Sequence, residues 1–237
     1  ASNWLCDNIS VGMQVTALPP SGQFTAKNLD VDMLFFAGGS GITPVLSLVK
    51  SALVSGGGEV VLFYANRDAD SIMYARQLQQ ISSEFPERFT LVDWLESEKG
   101  IPTSEAVEKR IRGHKGSEIF TCGPALFMDL VERSAPACGV AHSVVHREVF
   151  QSLSGDPFDN ATLRRLSDAE GVATATVYLN GECITTQWPR NTPLLDVLLS
   201  QGYNAPYSCR EGACSACVCK LIEGEVDMVR NNILVDE

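Results

Sequence analysis

Basic residues are scarce in this chain of 237 residues: 18 Lys and Arg stand against 29 Asp and Glu, a formal charge of −11. An acidic body repels phosphate backbones and anionic lipid surfaces, so neither nucleic acid nor a membrane is expected as a partner. Long apolar runs are missing too. No stretch approaches the roughly 18 residues that cross a bilayer, and the opening "ASNWLCDNIS" has neither the basic n-region nor the apolar h-region of a signal peptide. The expectation is a cytoplasmic protein. Histidine is rare, and His114, His142 and His146 show no metal-ligand spacing with a carboxylate or thiol. There is no recognisable catalytic triad, no internal repeat and no low-complexity tract.

What remains is an ordinary globular composition, 45% apolar and 20% charged, in a chain long enough for two modest domains. Eight cysteines are unevenly placed. Cys6, Cys122, Cys138 and Cys183 lie singly, whereas four thiols fall within "SCREGACSACVC", residues 208–219. Such crowding in a reducing compartment points to metal or redox chemistry rather than structural bridges.

Strand and helix patterns alternate through the middle of the chain. "VDMLFFA" is an apolar strand that runs into the glycines of "GGSG", and "ITPVLSLVKSALVS" has helical periodicity, with Thr43 as the expected cap and Pro44 at the first helical position. "EVVLFYANR", "FTLVDWL", "EIFTCGP" and "SVVHREVF" read as further strands, separated by the helices "ADSIMYARQLQQIS", "SEAVEKRIRG" and "PALFMDLVERSA". This order predicts an α/β domain over residues 28–150, a parallel sheet covered on both faces. The polar, turn-rich residues 151–170 read as a linker. Beyond them, "TATVYLNGECITTQW" predicts a hairpin turning at Asn180-Gly181, and "TPLLDVLLSQG" a short helix capped by Thr192. With the cysteine loop and a strand or hairpin at "VCKLIEGEVDM", residues 171–237 form a small α+β domain. Residues 1–27, with "VGMQVTALPPSGQFT", alternate and turn like the last strands of a β-barrel.

Two motifs carry chemistry. Cys209, Cys214 and Cys217 have the C-x4-C-x2-C spacing of plant-type [2Fe–2S] sites. The small residues Gly212, Ala213, Ser215 and Ala216 let the backbone come close to the sulfurs. Such a cluster takes four thiolates. Cys219, two residues beyond Cys217, is too close along a straight run to be the fourth and reads as a buried strand cysteine. A structural zinc site is the alternative, although only Cys214 and Cys217 form a closely spaced pair. The other motif is "AGGSGITP", residues 37–44, where a strand feeds glycines into a helix N-terminus that can accept a pyrophosphate. The alternative is a tight turn with no ligand. "TCGP", residues 121–124, ends another strand of the same sheet, so both loops are expected at its carboxyl edge. Arg67 closes the second strand, where it either meets a 2′-phosphate or is a solvated charge.

"GGSGITP", "YANRD", "TCGP", "HREVF" and the cysteine loop occur in an order that resembles ferredoxin–NADP reductase-like oxygenase reductases ending in a plant-type ferredoxin domain. Within that family the order is most similar to the reductases of 3-ketosteroid 9α-hydroxylases, with phenylacetyl-CoA epoxygenase reductases close behind. The resemblance implies a ferredoxin reductase-like nicotinamide domain, a β-grasp ferredoxin domain and the remnant of an N-terminal FAD-binding β-barrel. It implies that Ser2 contacts the flavin pyrophosphate, and that Gly38, Gly39, Gly41, Thr43 and Pro44 cradle NADH or NADPH. Cys122, as the catalytic-site cysteine, with Gly123 and Pro124, borders the nicotinamide, and Glu148 and Phe150 lie near the flavin. It further implies a chain cut at both ends, with an R-x-Y-S flavin motif upstream and the fourth cysteine just past Glu237.

The implied activity is electron transfer from NAD(P)H through FAD and the [2Fe–2S] cluster to a terminal oxygenase. Two rival readings are a diaphorase with a vestigial ferredoxin domain and a zinc-stabilised, non-catalytic nucleotide-sensing module. Arg67 against Asp68 and Asp70 leaves NADH and NADPH both open.

Overall fold

The computed structural model describes residues 2–150 apart from 18, 19 and 21, and residues 171–228 apart from 191 and 213. The chain divides into two compact units: Phe24–Gln151, and the residues on either side of it. The linker expected at 151–170 lies outside the described residues.

Five strands build the central unit: β1 (Met33–Gly38), β2 (Val60–Asn66), β3 (Phe89–Leu95), β4 (Glu118–Cys122) and β5 (Val145–Glu148). They pair in parallel in the order β3-β2-β1-β4-β5. Every residue of β1 and β2 is buried, as a strand with helices over both faces must be, and this explains their unbroken apolar runs. The chain steps outward from β1 to β3 and then returns to lay β4 on the other side of β1. The strand order therefore reverses at β1, and the carboxyl ends of β1 and β4 form the switch point at which open parallel sheets bind their ligands.

Helices α2 (Ile42–Ser55) and α3 (Ala75–Glu84) contribute Val45, Leu46, Val49, Leu78 and Ile81 to one core, beneath which lie Phe35, Leu62 and Phe120. The other face buries Leu34, Phe36 and Phe63 against α5 (Ser104–Gly113) and α6 (Ala125–Ala137). A single turn, α4 (Glu96–Lys99), follows β3. The C-terminal end of α2 is closed from a distance. The Arg88 guanidinium donates to the carbonyls of Ala52 (3.2 Å), Leu53 (3.2 Å) and Gly58 (2.9 and 3.1 Å), supplying positive charge where the helix dipole is negative.

In the other unit β6 (Val172–Leu179) and β7 (Glu182–Pro189) form an antiparallel hairpin. Its two-residue turn has positive φ at both Asn180 (52°) and Gly181 (87°), the type I′ geometry expected of that pair. Ile184 packs with Leu198 of α7 (Leu194–Ser200) and with Ala205.

Several expectations are corrected. Thr43 does not cap α2: a 3-10 turn over Gly39–Gly41 runs straight into the helix, so Gly41 stands at the cap, and the Thr43 hydroxyl donates back to the Ser40 carbonyl at 3.0 Å. Pro44 accordingly sits third in the helix, still among the amides that need no intrahelical partner. The first part of "ADSIMYARQLQQIS" is a 3-10 turn over Ala69–Ser71, capped by Asp68, and α3 starts only at Ala75. Pro193, not Thr192, occupies the cap of α7, and the Thr192 carbonyl accepts the Trp188 indole N–H at 2.7 Å. Among the described residues 2–23 there is no strand, and Ser2–Asn8 form a helix, α1. Residues 218–228 form no strand either. A strand needs a ladder partner, and among the described residues β6 and β7 pair only with each other.

Candidate functional site

The glycine loop and the CGP turn meet main chain to main chain. A Cβ on Gly41 would stand 2.0 Å from the Cys122 carbonyl oxygen and 2.7 Å from the Gly123 nitrogen. One on Gly123 would stand 2.9 Å from the Gly38 nitrogen, and one on Gly38 would stand 2.8 Å from the Pro124 ring. Gly38, Gly41 and Gly123 are therefore glycines because each loop fills the other's side-chain space. Gly39 differs. Its φ is +50°, and no heavy atom lies within 4 Å of where its Cβ would be. The space on its Cα is open, and it stands at the N-terminal end of α2, where the helix dipole favours an anion.

Tyr64 fixes the Gly39 peptide from inside. The ring is buried, and its hydroxyl donates to the Gly39 carbonyl and accepts the Met73 N–H, both at 3.2 Å. Burial holds this phenol above its usual range. Sequence reasoning passed over Tyr64; the available signal was a polar-tipped ring in an otherwise apolar buried strand, which must find partners. Beside it, Asn66 ends β2 at 3% exposure, its amide close enough to the Tyr64 phenol to favour the ionised form but without a hydrogen bond of ordinary geometry. Arg67 follows, exposed at the sheet edge. Asp68 is committed, since one carboxylate oxygen accepts the Ser71 N–H at 2.9 Å as the cap of the 3-10 turn.

On the other side of the switch point Cys122 registers with Ala37 of β1 and with Glu148 of β5. Burial, and then the Glu148 carboxylate, push the Cys122 thiol up to about 11. Burial also raises Glu148. Cys122 is thus a neutral thiol at physiological pH, unsuited to nucleophilic attack but able to pack against a ring. Val149 and Phe150 lie beyond the end of β5 and are exposed. Ser2 begins α1.

In the other unit, Cys209, Cys214 and Cys217 lie on one irregular loop. Three residues with positive φ, Arg210 (57°), Gly212 (68°) and Ser215 (60°), wind it. As a result its amides point inward at sulfur: Cys209 N–H donates to Cys214 Sγ at 3.4 Å, and Glu211 N–H donates to Cys209 Sγ at 3.3 Å. Burial raises the Cys217 thiol, and the neighbouring Cys214 and Cys209 add to the effect, so the three sulfurs feel one another. A two-iron cluster asks for two thiolates on each iron, and a loop that holds Cys209 and Cys214 together under inward amides fits that demand. Cys219 is exposed rather than buried.

The model of an oxidoreductase NAD-binding domain matches residues 35–133, and that of a 2Fe-2S iron-sulfur cluster binding domain matches residues 177–237. The chain is 47% identical over its whole length to the ferredoxin reductase component of 3-ketosteroid-9-alpha-monooxygenase from Rhodococcus rhodochrous, covering 68% of that protein. The chain belongs to the family of monooxygenase ferredoxin reductase components. Its counterpart in Mycobacterium tuberculosis (strain CDC 1551 / Oshkosh) is 46% identical over 99% of the chain, which spans 65% of that relative. One component of the 1,2-phenylacetyl-CoA epoxidase of Escherichia coli (strain K12) is 28% identical over 97% of the chain and 68% of the relative. The chain thus spans about two thirds of the length of these relatives. Within this reductase the NAD-binding match contains both interlocked loops, Tyr64, Asn66 and Arg67, and the 2Fe-2S match contains the whole cysteine loop. Ser2, Glu148 and Phe150 lie outside both.

Proposed function

We propose that the chain carries electrons from a nicotinamide dinucleotide to a terminal oxygenase as the reductase of a multicomponent system. The observation that carries this reading is the pairing, on one chain, of an open glycine peptide at the switch point of a parallel sheet with a thiol loop whose amides already face sulfur. Gly39 and the first turn of α2, with Thr43 and Pro44 at its rim, would hold the dinucleotide phosphates. Arg67, exposed where β2 ends, would meet the adenosine end. Cys122, Gly123 and Pro124 would border the nicotinamide, Cys122 as a protonated, buried packing surface. Gly38, Gly41 and Gly123 act by shaping the loops. Ser2, Glu148 and Phe150 are assigned to a flavin, Phe150 as an aromatic ring left exposed where the sheet ends.

Cys209, Cys214 and Cys217 would hold the [2Fe–2S] cluster together with a fourth thiolate. Nicotinamide releases electrons in pairs as hydride, the cluster accepts them singly, and FAD supplies the conversion between the two. The protein's own task is to place these groups and to keep water and stray protons from them. No acid or base is required of it for hydride transfer. The cytoplasm is the assigned location, in keeping with eight cysteines that form no disulfide among the described residues.

The test is anaerobic reconstitution of the full-length gene product with FAD, iron and sulfide, followed by stoichiometric NADH and, separately, NADPH. The expected result is bleaching of the visible absorption together with a rhombic EPR signal. A protein that takes up iron and sulfide but shows no such signal with either nucleotide overturns the reading.

A further inference from the structure

The cysteine loop carries a buried charge pair that the electron-transfer reading does not use. Asp196, in the first turn of α7, has a side chain only 7% exposed; Arg210, between the first cysteine and Glu211, is 13% exposed. Arg210 Nη2 donates to Asp196 Oδ1 at 2.5 Å. Burying two charges is expensive, and an apolar pair in their place is commonly no less stable, so such a pair is weak evidence of a contribution to folding stability. Its position suggests another use. Arg210 adopts φ +57°, a left-handed conformation that a bulky side chain resists. That conformation turns the next amide, Glu211 N–H, back onto Cys209 Sγ at 3.3 Å.

We infer that the Asp196–Arg210 pair is a positioning device: by anchoring the guanidinium to α7 it holds residue 210 left-handed and so aims the Glu211 amide at the first cluster sulfur. Hydrogen bonds to the sulfurs set the potential of such clusters and protect them. Asp196 touches neither iron nor sulfur in this scheme and works through Arg210. The inference rests on the [2Fe–2S] reading of the loop, and its test separates the two.

The experiment uses the full-length, reconstituted protein and follows loss of visible absorption under EDTA, with circular dichroism monitoring the fold at the same temperature. Asp196→Asn should lose its cluster at least ~10-fold faster than the parent while circular dichroism is unchanged, because a neutral amide oxygen holds the guanidinium more weakly than the carboxylate does. Two neutral double variants then isolate the backbone, Asp196→Asn/Arg210→Gly and Asp196→Asn/Arg210→Ala. They match in charge, and neither carries a guanidinium. Only glycine takes positive φ freely, so the Gly variant should hold its cluster within about twofold of the parent and the Ala variant should lose it ~10-fold faster. The EPR g-values of the Gly variant should also match the parent's. Equal loss rates for Gly and Ala overturn the inference, as does an Asp196→Asn protein that bleaches at the parental rate. A parent protein that binds no iron refutes the iron–sulfur reading itself, a separate result.

Discussion

At the scale of single residues, neighbouring glycines in one motif answer to different forces. Gly41 has no room for a methyl group, because the Cys122 carbonyl stands 2.0 Å from where it would go. Gly39 has room but a backbone at φ +50°. Gly41→Ala should therefore cost about 3 kcal/mol or more of stability by overpacking, and Gly39→Ala only about 1 kcal/mol. Urea unfolding measures both. Dinucleotide affinity should follow the opposite order once compared in folded protein, since only Gly39 faces the open side. Cys122 gives a test in pH. Its folded value, pushed up to about 11, lies above the unfolded value of 9.0. The neutral thiol therefore contributes its full stabilisation below about pH 9 and loses it as pH rises through about 11. The urea midpoint should fall across that window, and Cys122→Ala should show a shallower fall.

At the scale of elements, remote and local caps can be told apart. Arg88 closes α2 with charged donors to three carbonyls, and Arg88→Met should cost about 2 kcal/mol. Thr192→Ala should be nearly neutral in the same unfolding measurement, within about 0.5 kcal/mol, because it is the Thr192 carbonyl and not the hydroxyl that is bonded. These two cases show where sequence reading reaches and where it stops. Unbroken apolar runs identified β1 and β2, and Asn180-Gly181 identified its turn, since period and turn chemistry are local signals. Arg88 lies some thirty residues from the helix it caps, and no local pattern announces it. Thr43 and Thr192 failed as caps because an adjoining 3-10 turn or a proline decided the helix start, and caps compete within a residue or two. The edge runs "VGMQVT" and "VCKLIEGEVDM" alternate like strands, but alternation supplies a face and not a ladder partner.

At the scale of the whole molecule, the candidate site was legible in part for a physical reason. Ligand crevices in parallel sheets follow from strand order, so two loops ending strands of one sheet identify a shared edge before any coordinate is known. Tyr64, Asn66 and the Asp196–Arg210 pair were not legible, because each depends on which side chains become buried together across long separations. The central unit, Phe24–Gln151, has apolar cores on both faces of its sheet. Expressed alone, it should unfold in a single cooperative transition by calorimetry; a broad, non-cooperative melt would contradict an independent core.

The joint between residues 38–41 and 123 has a consequence for how such a protein can change. Where backbone abuts backbone there is no side chain to vary, so this part of the switch point cannot be adjusted in small steps, and the two loops must be inherited together. Diversity in what the edge accepts has to come from exposed side chains beside it instead, Arg67 among them. A chimera that takes one loop from a distant relative and leaves the other should fail at the seam before its specificity can be assayed.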